Sequence, residues 1–171
     1  LIVGFYSLCL VIIFTYSLAQ LTLLVNYIKA KKDTTSAPVF NFKNEKEIPV
    51  VTVQLPIYNE LYVIDRLLDN ISKLYYPKNK LEIQILDDST DQSIQTTAEK
   101  VKSLQALGLD IKHICRQKRE GFKAGALKEG LTVAKGQFIA VFDSDFMPKP
   151  DWLLKTVPYF KDENIGVVQT R

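Results

Sequence analysis

The chain has 171 residues, a formal net charge of +3 and two cysteines. So small a charge, with Lys and Arg interspersed among Asp and Glu rather than gathered in a stripe with aromatic residues, argues against a nucleic-acid partner. Cys9 falls in an apolar run and Cys115 near the end of a predicted strand, so a disulfide between them is not expected.

Positions 1–28, from Leu1 to Ile28, contain no charged residue. About 20 apolar residues rising about 1.5 Å each cross a hydrocarbon core of about 30 Å, so this stretch predicts one transmembrane helix. A cleaved signal peptide fits less well, because the apolar run exceeds an h-region and no small-residue cleavage pattern precedes Lys29. Lys29, Lys31 and Lys32 follow at once, which predicts a lipid bilayer as a partner and the rest of the chain on its cytosolic side. The first residue is not Met, which suggests a start inside a longer protein. Positions 29–48, with Thr34, Thr35, Ser36, Pro38 and mixed charges, read as a basic and polar linker. Positions 49–171 read as a folded domain with enough chain for a core.

Within that domain Val50-Val51-Thr52-Val53-Gln54-Leu55 predicts strand one, closed by Pro56. Asn59 is placed to cap a helix from Glu60, on which Val63, Leu67, Leu68, Ile71 and Leu74 recur at helical spacing until Tyr76-Pro77. Leu81-Glu82-Ile83-Gln84-Ile85-Leu86 alternates as strand two and runs into Asp87-Asp88-Ser89. A helix from about Asp91 to Leu107, stopped by Gly108, leads to a short strand, Ile111 to Cys115. A helix within Gly121 to Ala134, ended by Gly136, precedes the apolar strand Phe138 to Phe142; Pro150 opens another helix, and Gly166 to Thr170 reads as strand five.

Strands alternating with helices imply an α/β fold with a doubly wound, mostly parallel sheet, whose ligand sites lie along the carboxyl edge of the strands. Four loops meet that edge: Pro56 to Glu60, Asp87 to Ser89, Arg116 to Lys123, and Asp143 to Asp145. Asp143-Ser144-Asp145 sets two carboxylates on one side of an extended segment, a pattern suited to Mg²⁺ or Mn²⁺, which take one or two carboxylates while a diphosphate completes the shell. Lys123, in Gly121-Phe122-Lys123-Ala124-Gly125, offers a point charge to the same diphosphate, and its flanking glycines permit close backbone approach. Asp87-Asp88 reads either as a capping turn or as a carboxylate that accepts hydrogen bonds from a base or ribose, against which Tyr58 could pack. His113 stands in a strand without a metal-spaced partner and reads as a structural histidine. No dinucleotide or P-loop glycine signature is present.

Taken in order, Pro56-Ile57-Tyr58-Asn59-Glu60, Asp87-Asp88-Ser89, Gly121-Phe122-Lys123-Ala124-Gly125-Ala126-Leu127 and Asp143-Ser144-Asp145 resemble the motifs of family 2 glycosyltransferases. The likeness is greatest to the membrane-bound cellulose-synthase-like and glucomannan mannosyltransferase-like branch, to which Phe146-Met147-Pro148 and Val167-Val168-Gln169-Thr170-Arg171 also point. The resemblance implies a GT-A fold with a Rossmann-like nucleotide-binding half, a nucleotide-sugar donor of UDP-glucose or GDP-mannose type, and a glycan acceptor. It implies inverting transfer that builds a β-linked polysaccharide at the membrane. By position, Tyr58, Glu60, Asp87, Asp88, Lys123 and Asp143 would bind the nucleotide sugar, and Asp143 and Asp145 the metal. The base that the family places in a Thr/Ser-Glu-Asp motif would lie beyond Arg171, which implies a donor-binding fragment inactive alone. Ser144 stands where relatives often carry Ala, a change expected to be tolerated.

Two rival readings remain on the residues. A haloacid-dehalogenase-type phosphotransferase also uses Asp-x-Asp after a strand, but after its first strand, whereas here the pair follows the fourth. A non-catalytic, membrane-anchored nucleotide-sugar binding module is the other.

Overall fold

A computed structural model describes residues 2–32 and 38–170, in two separate units divided between Ala37 and Pro38. The first unit is one helix, α1 (Ile2–Lys32), which runs on past Ile28, the boundary expected from sequence. Its segment Ile2–Lys29 is long and apolar enough to cross a membrane by length and composition, and none of it is buried. Part of the expected linker, positions 33–37, lies outside the described residues.

The second unit is built on a sheet of β1 (Val51–Ile57), β2 (Leu81–Asp87), β3 (Asp110–Cys115) and β4 (Phe138–Val141), all parallel, in the order β3-β2-β1-β4. The helices are α2 (Ile64–Ile71), α3 (Ser93–Ala106), α4 (Phe122–Thr132) and α5 (Trp152–Thr156). Single 3-10 turns occupy Glu45–Glu47 and Lys78–Lys80, and a longer one, Val157–Lys161, extends α5. This is the doubly wound parallel arrangement that strand–helix alternation predicts.

Alternate residues of the sheet divide the two faces. Val51, Val53, Leu55, Leu81, Ile83 and Ile85 are buried with Ile64, Leu67, Leu68 and Ile71 of α2 and with Val101 and Leu104 of α3 in one apolar core. The interleaved Thr52, Gln54, Glu82 and Gln84 are buried as well, so the alternation of β2 does not mark a solvated face. They bond to one another across the strands: Thr52 Oγ1 donates to Glu82 at 2.6 Å and Gln54 Nε2 to Gln84 Oε1 at 3.0 Å, while the buried Gln84 Nε2 has no partner among the described residues. Helix α4 lies over this polar layer, and Gly130 makes its approach possible. A Cβ there would stand 2.6 Å from Gln54 Nε2 and 2.8 Å from Leu86 Cδ2.

Three boundaries differ from those expected. Pro56 lies inside β1, opposite Leu86, rather than closing the strand. Gln54's carbonyl accepts from Phe142 on the β4 side. Pro56, two residues on, faces that same side beyond the end of β4, so its missing N–H breaks no ladder bond. Asn59 does not cap α2: its φ of 55° is left-handed, whereas cap residues are extended, and the chain turns through Glu60 to Val63 before the helix begins at Ile64. Gly166 to Thr170 forms no strand, and the sheet has four strands among the described residues. Residues 167–170 and β4 line a groove of about 550 Å³, and no ladder pairs them.

Candidate functional site

The four loops at the carboxyl edge enclose a cavity of about 440 Å³. Tyr58, Glu60, Asp88, Lys123, Asp143 and Asp145 all line it. Asp87 does not: its side chain is fully buried beneath the edge, where Oδ2 meets His113 Nε2 at 2.7 Å and Oδ1 accepts from Ser89 N at 2.8 Å. Burial alone would raise its pKa, but the hydrogen bonds from His113 and Ser89 outweigh it and hold the carboxyl below its ordinary range.

The loop after β1 is pinned to the loop after β2. Asn59 N donates to Ser89 Oγ at 2.8 Å, and Thr90 N donates to Asn59 Oδ1 at 2.9 Å. The left-handed turn at Asn59 thus leaves Tyr58 and Glu60 on the cavity wall. Ser144 Oγ donates to Glu60 Oε1 at 2.9 Å, joining the first motif to the acidic one. The hydroxyl that sequence reading treats as merely tolerated therefore orients a cavity carboxylate.

The loop after β3 is organised by Arg116. Its Nε donates to Asp88 Oδ1 at 2.7 Å and its Nη2 to Asp88 Oδ2, while Nη1 reaches Glu120 O at 2.9 Å and Nη2 reaches Phe122 O at 3.0 Å. Both partners are nearly buried, the side chains being 7% and 5% exposed. The hydrogen bonds to Asp88 raise the guanidinium pKa further. Gly125 serves this arrangement, since a Cβ there would lie 1.9 Å from Glu120 O and 2.7 Å from Arg116 Nη1. The close approach inferred for a ligand is used by the protein's own guanidinium. Lys123, the second residue of α4, pairs with Asp143.

Arg119 and Arg66 also line the cavity and were not singled out by sequence. Arg119 lies 3.5 Å from the centroid of the Tyr58 ring, covering one of its faces, and 3.8 Å from Asp88 Oδ2. The cationic run Arg116, Lys118, Arg119 was visible in the sequence; which of its members turns inward depends on the buried anchor at Asp88.

His113 is hydrogen-bonded to Asp87, as a structural histidine would be, but the reading that it lacks a metal-spaced partner is corrected by the register. Asp87 pairs with Cys115 across β2 and β3, and His113 shares a face with Cys115 two residues away. Its Nε2 lies 3.4 Å from Cys115 Sγ. Burial and the nearby Asp87 push the Cys115 thiol pKa up.

With this geometry in view, residues 52–171 match the profile of Glycosyl transferase family 2. The chain belongs to that family. The family 2 chain is 43% identical over 134 residues to a probable glucomannan 4-beta-mannosyltransferase 7 of Oryza sativa subsp. japonica, an alignment covering 75% of the chain and 23% of the relative. It is 34% identical to a glucomannan 4-beta-mannosyltransferase 1 of Cyamopsis tetragonoloba, over 91% of the chain and 31% of the relative. Thus the chain spans between about a quarter and a third of the length of these relatives. Among solved structures it resembles the mannosyltransferase PcManGT of Pyrobaculum calidifontis in complex with GDP-Man and Mn²⁺, with 32% identity and a TM-score of 0.68, covering 84% of the chain and 41% of PcManGT. It also resembles S. aureus TarS 1-349 in complex with UDP, with 30% identity and a TM-score of 0.55 over 67% of the chain and 32% of TarS 1-349. The GT-A-type family 2 domain is a glycosyltransferase domain, and the phosphotransferase reading of Asp143-Ser144-Asp145 is set aside.

Proposed function

We propose that this chain forms the donor-binding part of a metal-dependent, inverting glycosyltransferase that builds a β-linked polysaccharide at a membrane. The observation that carries the proposal is the convergence of Lys123, Asp143 and Asp145 with Tyr58, Glu60 and Asp88 around one cavity. The donor is a nucleotide diphosphate sugar, GDP-mannose before UDP-glucose, since the relatives above are named as mannosyltransferases and PcManGT holds GDP-Man. Positions 1–28 anchor the domain of positions 49–171 through the linker 29–48, with the domain on the cytosolic side.

The donor set suits a hard divalent cation. Asp143 and Asp145 offer only oxygen, both face the cavity, and the adjacent space takes a diphosphate, so Mg²⁺ or Mn²⁺ fits where a softer ion would find no sulfur or nitrogen. Bound there, the ion would offset the charge that develops on the leaving diphosphate. Lys123 shares that task through its ammonium, leaving Asp143 to meet the phosphate. Tyr58 and Asp88 border the base, with Arg116 fixing Asp88 and Arg119 filling the stacking face until the nucleotide arrives. Glu60, held by Ser144, lines the nucleotide pocket. None of these carboxylates is assigned as the base that takes the acceptor's proton.

The test is calorimetric titration of the purified chain, in detergent micelles, with GDP and UDP in the presence and absence of Mn²⁺. Mn²⁺-dependent binding of one nucleotide, abolished by Asp145→Asn with an unchanged circular dichroism spectrum, supports the proposal. Nucleotide binding equal with and without Mn²⁺, or unaltered by Asp145→Asn, refutes the metal role.

A further inference from the structure

Outside the donor cavity, Asp87 Oδ2, His113 Nε2 and Cys115 Sγ lie within 4.8 Å of one another at the ends of β2 and β3. Each comes from a position the sheet fixes: Asp87 and Cys115 are register partners, and His113 lies two residues before Cys115. We propose that these three side chains form a second cation site, selective for a borderline-soft transition metal such as Zn²⁺ and separate from the all-oxygen site of Asp143 and Asp145.

The chemistry of the set supports this. Thiolate, imidazole and carboxylate together select Zn²⁺ over Mg²⁺ or Mn²⁺, which take oxygen. The observed separations are 2.7 Å from Nε2 to Oδ2 and 3.4 Å from Nε2 to Sγ. Tetrahedral bonds of about 2.0 to 2.3 Å set ligand atoms about 3.5 Å apart, so on entry of the ion the imidazole and carboxylate part by less than about 1 Å, and Oδ2 and Sγ, which lie within 4.8 Å of each other, close by no more than about 1.3 Å. The Asp87 carboxylate is already oriented, because its other oxygen accepts from Ser89 N. A carboxylate, a neutral imidazole and a thiolate carry two negative charges, which a divalent ion offsets, so the buried oxygen of Asp87 need not be left as an uncompensated charge. On binding, the thiol proton of Cys115 leaves to solvent. Cys115 is exposed and borders an open cleft of about 780 Å³ with Arg116, Lys118 and Lys128, which provides a route of entry and room for a water as fourth ligand.

The site adjoins the donor machinery through the backbone. Asp88 follows Asp87 and Arg116 follows Cys115, so a metal that clamps β2 to β3 also fixes the Asp88–Arg116 pair that organises the Lys123 loop.

Titration of the full chain in detergent micelles with Co²⁺, a spectroscopic stand-in for Zn²⁺, tests the inference. One Co²⁺ per chain should produce a thiolate-to-metal charge-transfer band and intense tetrahedral ligand-field bands, both erased by added Zn²⁺. Cys115→Ser and His113→Gln should each weaken binding at least about tenfold, since even residues behind the ligands cost 10- to 100-fold when changed. Cys9→Ser and Asp145→Asn should leave the bands intact, which separates this site from the donor site and from the other cysteine. A folded chain that gives no charge-transfer band, a band surviving Cys115→Ser, or one lost with Cys9→Ser or Asp145→Asn, overturns the assignment. Circular dichroism of each variant verifies folding, and the exposed position of Cys115 makes its serine variant the decisive one.

Discussion

At the scale of single residues, the cavity is held by small polar links between loops rather than by the motif residues alone. Ser144 illustrates this: its hydroxyl fixes Glu60, a partly buried bond to a charged group. Ser144→Ala should therefore cost about 1 kcal/mol in nucleotide-sugar binding, or about fivefold in affinity, with a small fall in the unfolding midpoint. Calorimetry of the two proteins side by side decides it, and equal affinities would show that Glu60 does not need the link. The motifs Tyr58 to Glu60, Asp88 and Asp143 to Asp145 were legible as rim residues because each directly follows an apolar strand, and Lys123 because its glycine-flanked segment follows the loop after β3. Arg119 was not, because a surface-looking arginine becomes a cavity residue only through Tyr58, Arg116 and Asp88, which are far apart in sequence. Asp87 was misplaced for a related reason: adjacent carboxylates on an extended backbone point to opposite sides, so only Asp88 can face the cavity.

At the scale of elements, the sheet carries a polar layer under α4, and its packing is close. Gly130→Ala should destabilise the chain by about 1 to 3 kcal/mol, because the new methyl meets Gln54, Gln84 and Leu86 below 3 Å, and this overpacking exceeds the gain of at most about 1 kcal/mol from helix propensity. Urea unfolding followed by circular dichroism measures the difference; a more stable variant would mean that the layer yields. The same layer makes stability depend on acid. Glu82 is buried, which alone would raise its pKa, yet hydrogen bonds from Lys112 Nζ, Lys135 N and Thr52 Oγ1 hold it below the usual 4.5. Below that usual value the unfolded chain takes up the proton first, so the stability Glu82 contributes is present above it and is lost as pH falls through the lowered native value. Unfolding midpoints measured downward from pH 6 should fall steeply there, and more shallowly in Glu82→Gln. Parallel slopes in the two proteins would assign the acid sensitivity elsewhere. The four strands and their alternation with helices were readable from β-branched runs and helical spacers, whereas the order β3-β2-β1-β4 came only from the pairing. The burial of Glu82 and Gln84 was not, since alternation is the same whether the polar face meets water or another polar layer. Strand five failed for the converse reason: Gly166 to Thr170 has strand composition, but a ladder also needs a partner at bonding distance, which composition does not specify.

At the scale of the whole molecule, a family 2 domain accompanies a helix that carries no charge from Ile2 to Ile28. Within that helix, Ser7, Thr15, Ser17 and Thr22 each donate their hydroxyl to the carbonyl four residues earlier, at 2.8 to 2.9 Å. A hydroxyl that carries its acceptor with it keeps a hydrogen bond on leaving water, so these positions would enter hydrocarbon at much lower cost than free hydroxyls. Replacing Thr15 and Thr22 together by Val should change recovery with floated lipid vesicles very little, whereas Leu→Lys at position 18 should sharply reduce it. A large gain from the valines would indicate that the hydroxyls were seeking other partners. The consequence reaches translation: a nascent segment whose serine and threonine hydroxyls are already bonded within the helix would spend less free energy on them when it partitions sideways from a protein-conducting channel into lipid.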